Sequence, residues 1–118
     1  MEKEENKEII AKQNQIKKGI LSYVVLLSIN NKDSYALNIL ENLKNSNIII
    51  VEGTLYPLLS RFKREELLNY EWIESKNWPP RKYYSLTDKW KNTLKALEKT
   101  WKEIIISINS LTQISWKK

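Results

Sequence analysis

The sequence predicts a mainly α-helical domain that carries one small β-hairpin. Apolar residues recur at helical spacing in four stretches, which predicts four amphipathic helices. Two short runs rich in aromatic residues lie on either side of a segment that ends in two prolines, which is typical of two strands and their connection. With 2 glycines and 3 prolines in 118 residues, the chain has the length of one domain and too few turn-forming residues for an all-β fold.

The four helices are predicted from their apolar stripes and from the residues that end them. The first runs from about 12 to 30, and residues 1–11 form a flexible or helical extension before it. The second begins after Ser34, the predicted N-cap, and ends near residue 45. The third begins around Gly53, with Pro57 in its first turn, where the missing N–H costs little. Its predicted buried face comprises Leu55, Leu58, Leu59, Phe62 and Leu67.

The region from 68 to 86 predicts the hairpin, with strands at 68–74 and 81–86. The β-prone run 48–51, which precedes the third helix, is interpreted as an apolar connector. Three helices followed by a hairpin is the element order of a winged helix-turn-helix domain, here over residues 12–87, whose third helix usually enters the major groove of DNA. A small α+β domain with no nucleic-acid partner has the same order, so element order alone leaves both interpretations open.

A final helix is predicted from about 88 to 112, and residues 88–118 are predicted to form the dimerisation element. Its seven apolar positions run from Trp90 to Leu111 with spacings of 4, 3, 4, 3, 4 and 3, a heptad pattern typical of a helix packed along another helix. The winged-helix domain is expected to have a core that does not need this helix, so the predicted partner is a second copy. The alternative is that the helix packs back on its own domain. The predicted dimer interface comprises Ile16, Ile20, Tyr23, Leu94, Leu97, Trp101, Ile104, Ile108 and Leu111.

Trp101 lies at the middle of this heptad pattern and has two interpretations. It is either a core tryptophan, or one of a pair that lines a cavity between two subunits. Two indole rings across a gap can stack on a flat aromatic ligand, so the second interpretation makes Trp101 a ligand-binding residue and predicts a small aromatic effector.

Composition excludes several classes of function. The chain has no cysteine and no histidine, which removes disulfides, thiolate zinc sites and the commonest general base, so neither an enzyme nor a cofactor or metal site is expected. The net charge of +6 fits a nucleic-acid partner, an anionic surface or an ordinary basic protein. The longest apolar run is far shorter than the roughly 20 residues that span a bilayer. The polar, acidic N-terminus is unlike a signal peptide, so no membrane partner and a cytoplasmic location are expected.

Two blocks of sequence resemble one family. Residues 53–62, GTLYPLLSRF, resemble the recognition helix of the PadR family of bacterial transcriptional regulators, and residues 79–87, PPRKYYSLT, resemble its wing. The resemblance covers about 16–110, and the single terminal helix is similar to the small-subunit branch, some of whose members respond to aromatic or cationic drugs. The resemblance implies a homodimeric winged helix-turn-helix protein, usually a repressor, that binds a palindromic operator in double-stranded DNA.

The resemblance also implies a set of DNA-binding residues. These are Thr54, Tyr56, Ser60, Arg61 and Arg64 on the third helix and Lys76, Arg81 and Lys82 on the wing; Lys63 joins them because it lies off the apolar stripe. Arg61 and Arg64 are three residues apart and are expected to share an exposed face, where an arginine can bind a guanine edge or a phosphate. The alternatives are solvated surface charges and a winged-helix module that binds protein without DNA.

Three positions depart from the family pattern. Ala36 follows Tyr35 where the family often has glycine, and the turn before the first strand contains Glu65 and Glu66 without the usual glycine. Trp90 occupies a third glycine position, near the start of the last helix. The second departure leaves the end of the third helix uncertain by a residue or two, and the third is expected to change how the wing meets the last helix.

Overall fold

Four helices and a three-stranded sheet make up the computed structural model, which describes residues 2–29, 34–74 and 80–116. The elements in chain order are α1 (Glu2–Ile29), β1 (Ser34–Tyr35), α2 (Ala36–Asn45), α3 (Glu52–Arg64), β2 (Leu68–Ile73), β3 (Arg81–Leu86) and α4 (Asp88–Trp116). The molecule measures 60 × 37 × 24 Å along its principal axes, because α1 and α4 extend beyond the packed domain.

The first two helices begin at residues other than those predicted. α1 starts at Glu2 and not near 12, since acidic residues fill its first turn and favour the positive end of the helix dipole. α2 is capped by Tyr35, whose backbone N–H donates to Oδ1 of Asn38 at 3.1 Å. Ser34 is therefore not the N-cap. It pairs with Tyr84 of β3, because ladder hydrogen bonds hold this backbone extended.

The start of α3 also differs from the prediction. Val51 is its N-cap, and the Val51 carbonyl accepts the N–H groups of Thr54 and Leu55 at 3.0 and 3.1 Å. Pro57 is therefore the sixth helical residue, in the second turn and not the first. A proline there has no N–H to donate to the Gly53 carbonyl, four residues earlier. The free-energy cost of this missing hydrogen bond is tolerable because Gly53 is exposed to water.

The turn after α3 has the geometry of a Schellman C-cap. The N–H of Leu67 donates to the Phe62 carbonyl at 2.9 Å, and the N–H of Glu66 donates to Lys63. Glu66 has φ of 63°, a left-handed conformation that glycine adopts more readily than any other residue. The Glu66 carbonyl then accepts the Thr87 hydroxyl at 2.6 Å, which joins the end of α3 to the start of α4.

The sheet has the order β1–β3–β2, and both neighbouring pairs are antiparallel. The two predicted hairpin strands are confirmed, with Leu68 opposite Leu86 and Ile73 opposite Arg81. The segment 48–51 forms no strand, as predicted. The sequence did not predict β1, which has only two residues.

The hydrophobic core is shared by all four helices and the hairpin. Its buried members are Val25, Leu26, Ile29, Ala36, Ile39, Leu43, Leu55, Leu59, Phe62, Leu67, Leu68, Tyr84 and Trp90. Trp90 of α4 is only 2% exposed. The expectation that the domain does not need its last helix is therefore wrong, because Trp90 of α4 is part of the buried core, and Leu94 and Leu97 pack against it.

Candidate nucleic-acid interface

Helix α3 has one buried side and two polar flanks. Leu55, Leu59 and Phe62 form the buried side. On one flank, Tyr56 and Ser60 face the wing and the start of α2. On the other flank, Thr54 and Arg61 face α1 across a groove that also includes Lys18.

A cleft separates the first flank from the wing, and we name it the α3–wing cleft. Its volume is about 460 Å³. The cleft lies between three elements that each supply polar or aromatic side chains: Tyr35, Ala36 and Leu37 near the start of α2, Glu52, Tyr56 and Ser60 on α3, and Trp72, Pro80, Arg81, Lys82 and Tyr84 on the wing. A concave surface with several hydroxyls and two cations at its edge is suited to a polar, negatively charged partner.

The cations of this region lie on aromatic rings. Nζ of Lys82 is 4.4 Å from the ring centre of Tyr70 and 5.3 Å from that of Trp72. Nζ of Lys63 is 5.8 Å from the Tyr70 ring and donates a hydrogen bond to Oδ1 of Asn69 at 3.1 Å. Within the ranges that the structure describes, the ion pair between Lys102 and Glu98 is the only one, so neither of these lysines is paired with a carboxylate.

The two arginines of α3 differ in their surroundings. Arg61 Nη2 donates to Oγ of Ser22 on α1 at 2.8 Å, and the guanidinium lies 5.9 Å from the Phe62 ring. Arg64 is exposed, and its guanidinium makes no hydrogen bond or ion pair with any residue that the structure describes. Both are exposed, as predicted, but Arg61 is directed toward α1 while Arg64 is free to meet a partner.

Tyr84 connects the cleft to the core. Its ring is 4% exposed, and burial raises the pKa of its phenol, with further contributions from Tyr56 and Tyr70. The phenol therefore stays protonated at neutral pH and can donate a hydrogen bond into the cleft.

Comparison with known proteins identifies the family. Residues 25–96 match the model of the Transcriptional regulator PadR-like family. The chain belongs to the PadR family. A PadR-like transcription factor from Bacteroides fragilis is similar, with 46% identity, 86% of this chain and 98% of that chain covered, and a TM-score of 0.73. A PadR family regulator from Eggerthella lenta has 27% identity, coverage of 91% and 94%, and a TM-score of 0.82.

Two further proteins are similar to this chain. A PadR-like regulator from Bacillus cereus has 31% identity, covers 84% of this chain and 97% of its own, and has a TM-score of 0.72. A curated protein of Lysinibacillus sphaericus, itself uncharacterized, is 30% identical over 95 residues, which is 78% of this chain and 87% of that protein. PadR proteins are DNA-binding transcriptional regulators and not enzymes. No helix in the described part of the chain is long and apolar enough to cross a bilayer.

The structure brings most of the predicted DNA-binding residues of this PadR protein to α3 and the wing. Those on or beside the α3–wing cleft are Tyr56, Ser60, Lys63, Arg81 and Lys82. Thr54 and Arg61 lie on the opposite flank, and Lys76 lies outside the described residues. Sequence reasoning missed Trp72 as a lining residue, although its alternation with Tyr70 along β2 places both rings on one face.

The predicted dimer residues divide into two groups. Leu94 and Leu97 pack against the core of their own domain, so the first part of the heptad pattern is at least half covered without a partner. The remaining α4 positions, Ile104, Ile108 and Leu111, are 42%, 50% and 66% exposed.

On α1, Ile16 is 70% exposed, whereas Ile20 and Tyr23 are half-buried. The ring centres of Tyr23 and Trp101 are 6.4 Å apart, so Trp101 packs on α1 of its own chain. Burial raises the pKa of the Tyr23 phenol, and the nearby Glu98 carboxylate adds to the effect.

Proposed function

We propose that this PadR-family regulator is a homodimeric repressor that acts in the cytoplasm on a palindromic operator and is released by a small aromatic ligand. The observation that carries the proposal is the α3–wing cleft, where Lys63, Arg81 and Lys82 surround a concave, hydroxyl-bearing surface without carboxylate partners in the described part of the chain.

In this proposal, α3 enters the major groove and the wing lies on the phosphate backbone. Arg64 extends from the exposed side of α3 and is the residue best suited to bind a guanine edge, because nothing described in the structure holds its guanidinium. Tyr56 and Ser60 supply hydroxyls toward the wing, and Thr54 supplies one near the N-terminus of α3, where anions are favoured. Arg61 binds a phosphate only after it releases Ser22.

The proposed dimer rests on the apolar surface that a single chain leaves exposed. The C-terminal half of α4 presents Ile104, Ile108 and Leu111, and α1 presents Ile16, each at least 42% exposed. A two-fold axis through this surface would cover these side chains reciprocally and place two copies of α3 on one face. Half-sites about 34 Å apart, one turn of DNA, follow from that symmetry, which is why the proposed operator is palindromic.

The proposed effector site lies where α1 meets α4. The rings of Tyr23 and Trp101 are tilted by 47° and half-buried, and a flat aromatic molecule could replace one ring as the stacking partner of the other. Such a ligand would release DNA only if it bound more tightly to a dimer with the wrong separation of its recognition helices.

A salt titration of binding to random and operator duplexes tests the DNA proposal. We expect the affinity to fall steeply with salt, since each neutralised phosphate contributes about 0.9 to the slope of log K against log salt. Arg64→Ala is expected to cost about 1 to 3 kcal/mol on the operator. Lys44→Ala, which removes an exposed lysine at the end of α2, is the matched control.

Two other results would count against this proposal. Wild-type protein that does not bind duplex DNA, or whose binding does not depend on salt, refutes the proposal and favours a winged-helix module that binds protein. Equal losses in Arg64→Ala and Lys44→Ala would show that α3 contributes charge without reading sequence.

A further inference from the structure

One face of the hairpin changes from core to surface within six residues. On a strand, alternate residues share a face, and the three cross-strand pairs on this face are Leu68–Leu86, Tyr70–Tyr84 and Trp72–Lys82. Leu68 is fully buried, whereas Trp72 is 63% exposed. The core therefore ends before the last pair, and the indole of Trp72 continues the core face into the α3–wing cleft, where most of its surface is exposed.

The cross-strand partner of this tryptophan is a cation that its ring helps to hold. The Lys82 ammonium lies 4.4 Å from the ring centre of Tyr70 and 5.3 Å from that of Trp72. The two rings themselves meet edge to face, with centres 6.3 Å apart and planes at 87°. Two rings thus restrict a side chain that is otherwise flexible, and no carboxylate in the described ranges forms an ion pair with its ammonium.

We infer that Trp72 and Lys82 form a backbone-binding site for one strand of duplex DNA, with the phosphate on the Lys82 ammonium and the deoxyribose against the Trp72 indole. The inference rests on the DNA binding proposed above and adds Trp72 to it. A nucleic-acid backbone alternates an anion with a largely apolar sugar, and this site offers a fixed cation beside a broad apolar ring. Trp72 is therefore a contact for the sugar and a positioning residue for Lys82.

The surroundings favour a nucleic-acid strand over an acidic protein segment. Arg81, which precedes Lys82 in β3, and Ser60 of α3 also line the cleft, so a further cation and a hydroxyl lie along the path of a continuous strand. Among the described residues that line the cleft, Glu52 is the single acidic one.

The test compares Trp72→Ala, Trp72→Phe and Lys82→Ala in salt titrations with random duplex DNA. Lys82→Ala is expected to make the fall of log K with log salt less steep by about 0.9, the contribution of one phosphate contact. Trp72→Ala is expected to weaken binding roughly 5- to 30-fold, and Trp72→Phe, which keeps a ring under the ammonium, roughly 2- to 5-fold. The double variant should lose less binding free energy than the two single variants lose together, because Trp72 acts partly through Lys82.

Two controls separate this site from a loss of folding or of apolar surface in general. Ile106→Ala removes a side chain of similar exposure, 69%, on α4, and it should leave the affinity unchanged. Thermal melts of all variants should stay within a few degrees of the wild type, since Trp72 is mostly exposed. DNA should also change the tryptophan fluorescence of the wild type more than that of Trp72→Phe.

The outcomes distinguish failure of the inference from failure of the proposed function. If the wild type binds DNA and Trp72→Ala binds with the same affinity and slope, the inference is overturned and the DNA proposal stands. If the wild type does not bind DNA, the proposed function fails first. If Trp72→Ala loses affinity while its effect is fully additive with Lys82→Ala, Trp72 contacts the strand but does not position the lysine, which overturns that half of the inference.

Discussion

Glycine at position 66 should stabilise this protein. Glu66 has φ of 63° in the turn that ends α3, and its side chain is exposed. The interactions that define the turn are made by backbone atoms: the Glu66 N–H donates to Lys63, and the Glu66 carbonyl accepts the Thr87 hydroxyl. Glu66→Gly keeps all of them and removes the exposed side chain, whose Cβ atom opposes the left-handed conformation.

The magnitude follows from two opposing terms. A left-handed conformation costs a residue with a side chain about 1 to 2 kcal/mol, which glycine avoids. Glycine in turn loses more backbone entropy on folding, about 0.5 to 1 kcal/mol relative to alanine. The expected net gain in the free energy of unfolding is about 0.5 to 1 kcal/mol, or about 2 to 5 °C in melting temperature for a chain of this size.

Urea unfolding followed by circular dichroism, at one fixed protein concentration, measures this difference. Glu66→Gln is the first control, because it removes the carboxylate from the negative end of the α3 dipole but keeps the left-handed strain. Glu65→Gly is the second, since Glu65 has φ of −80° and a glycine there should destabilise the protein. If Glu66→Gly destabilises as much as Glu65→Gly, or gains no more than Glu66→Gln, the argument from backbone strain is wrong.

Three further predictions follow from the core and the proposed dimer. Trp90→Ala should lower the free energy of unfolding, measured in urea, by about 3 to 5 kcal/mol, because it empties a fully buried site. Trp90→Phe should lower it much less, and equal losses in the two variants would count against a packing role. Ile104→Lys should give folded monomers by analytical ultracentrifugation. Leu97→Lys should also unfold the chain, because Leu97 packs on the core of its own domain. A wild type that is monomeric at micromolar concentration rules out the dimer. Trp101→Ala should weaken the binding of a flat cationic dye in a fluorescence titration, and unchanged affinity would leave Trp101 as a packing residue.

The sequence predicted the helices and the hairpin well, because apolar periodicity reports which face of an element is covered. It does not report what covers that face. Trp90 and Ile108 belong to one heptad pattern, yet the first fills the core of its own domain and the second is half exposed. The same limit applies to Ser34, a good N-cap by local preference, whose backbone pairs with Tyr84, which is distant in sequence.

In the candidate site, too, the sequence predicted which side chains are exposed but not which distant residues they contact. Exposure of Arg61 and Arg64 followed from helical spacing, and both are exposed. The hydrogen bond between Arg61 and Ser22 joins residues 39 positions apart, so no local pattern could have predicted it. The turn where the family's glycine is missing left the end of α3 uncertain by a residue or two, and it contains the left-handed Glu66, which was not predicted.

The first two-thirds of α1 have a consequence for how this protein assembles. Every residue from Glu2 to Gly19 is exposed, which is about 27 Å of helix that the rest of the chain leaves uncovered. A helix of this length without tertiary packing is marginal in water, so this segment folds to the extent that something packs on it. Dissociation of the proposed dimer should therefore melt helix as well as separate subunits. Far-UV circular dichroism would then depend on protein concentration, and the heat-capacity change of dissociation would exceed the value expected from the interface area alone.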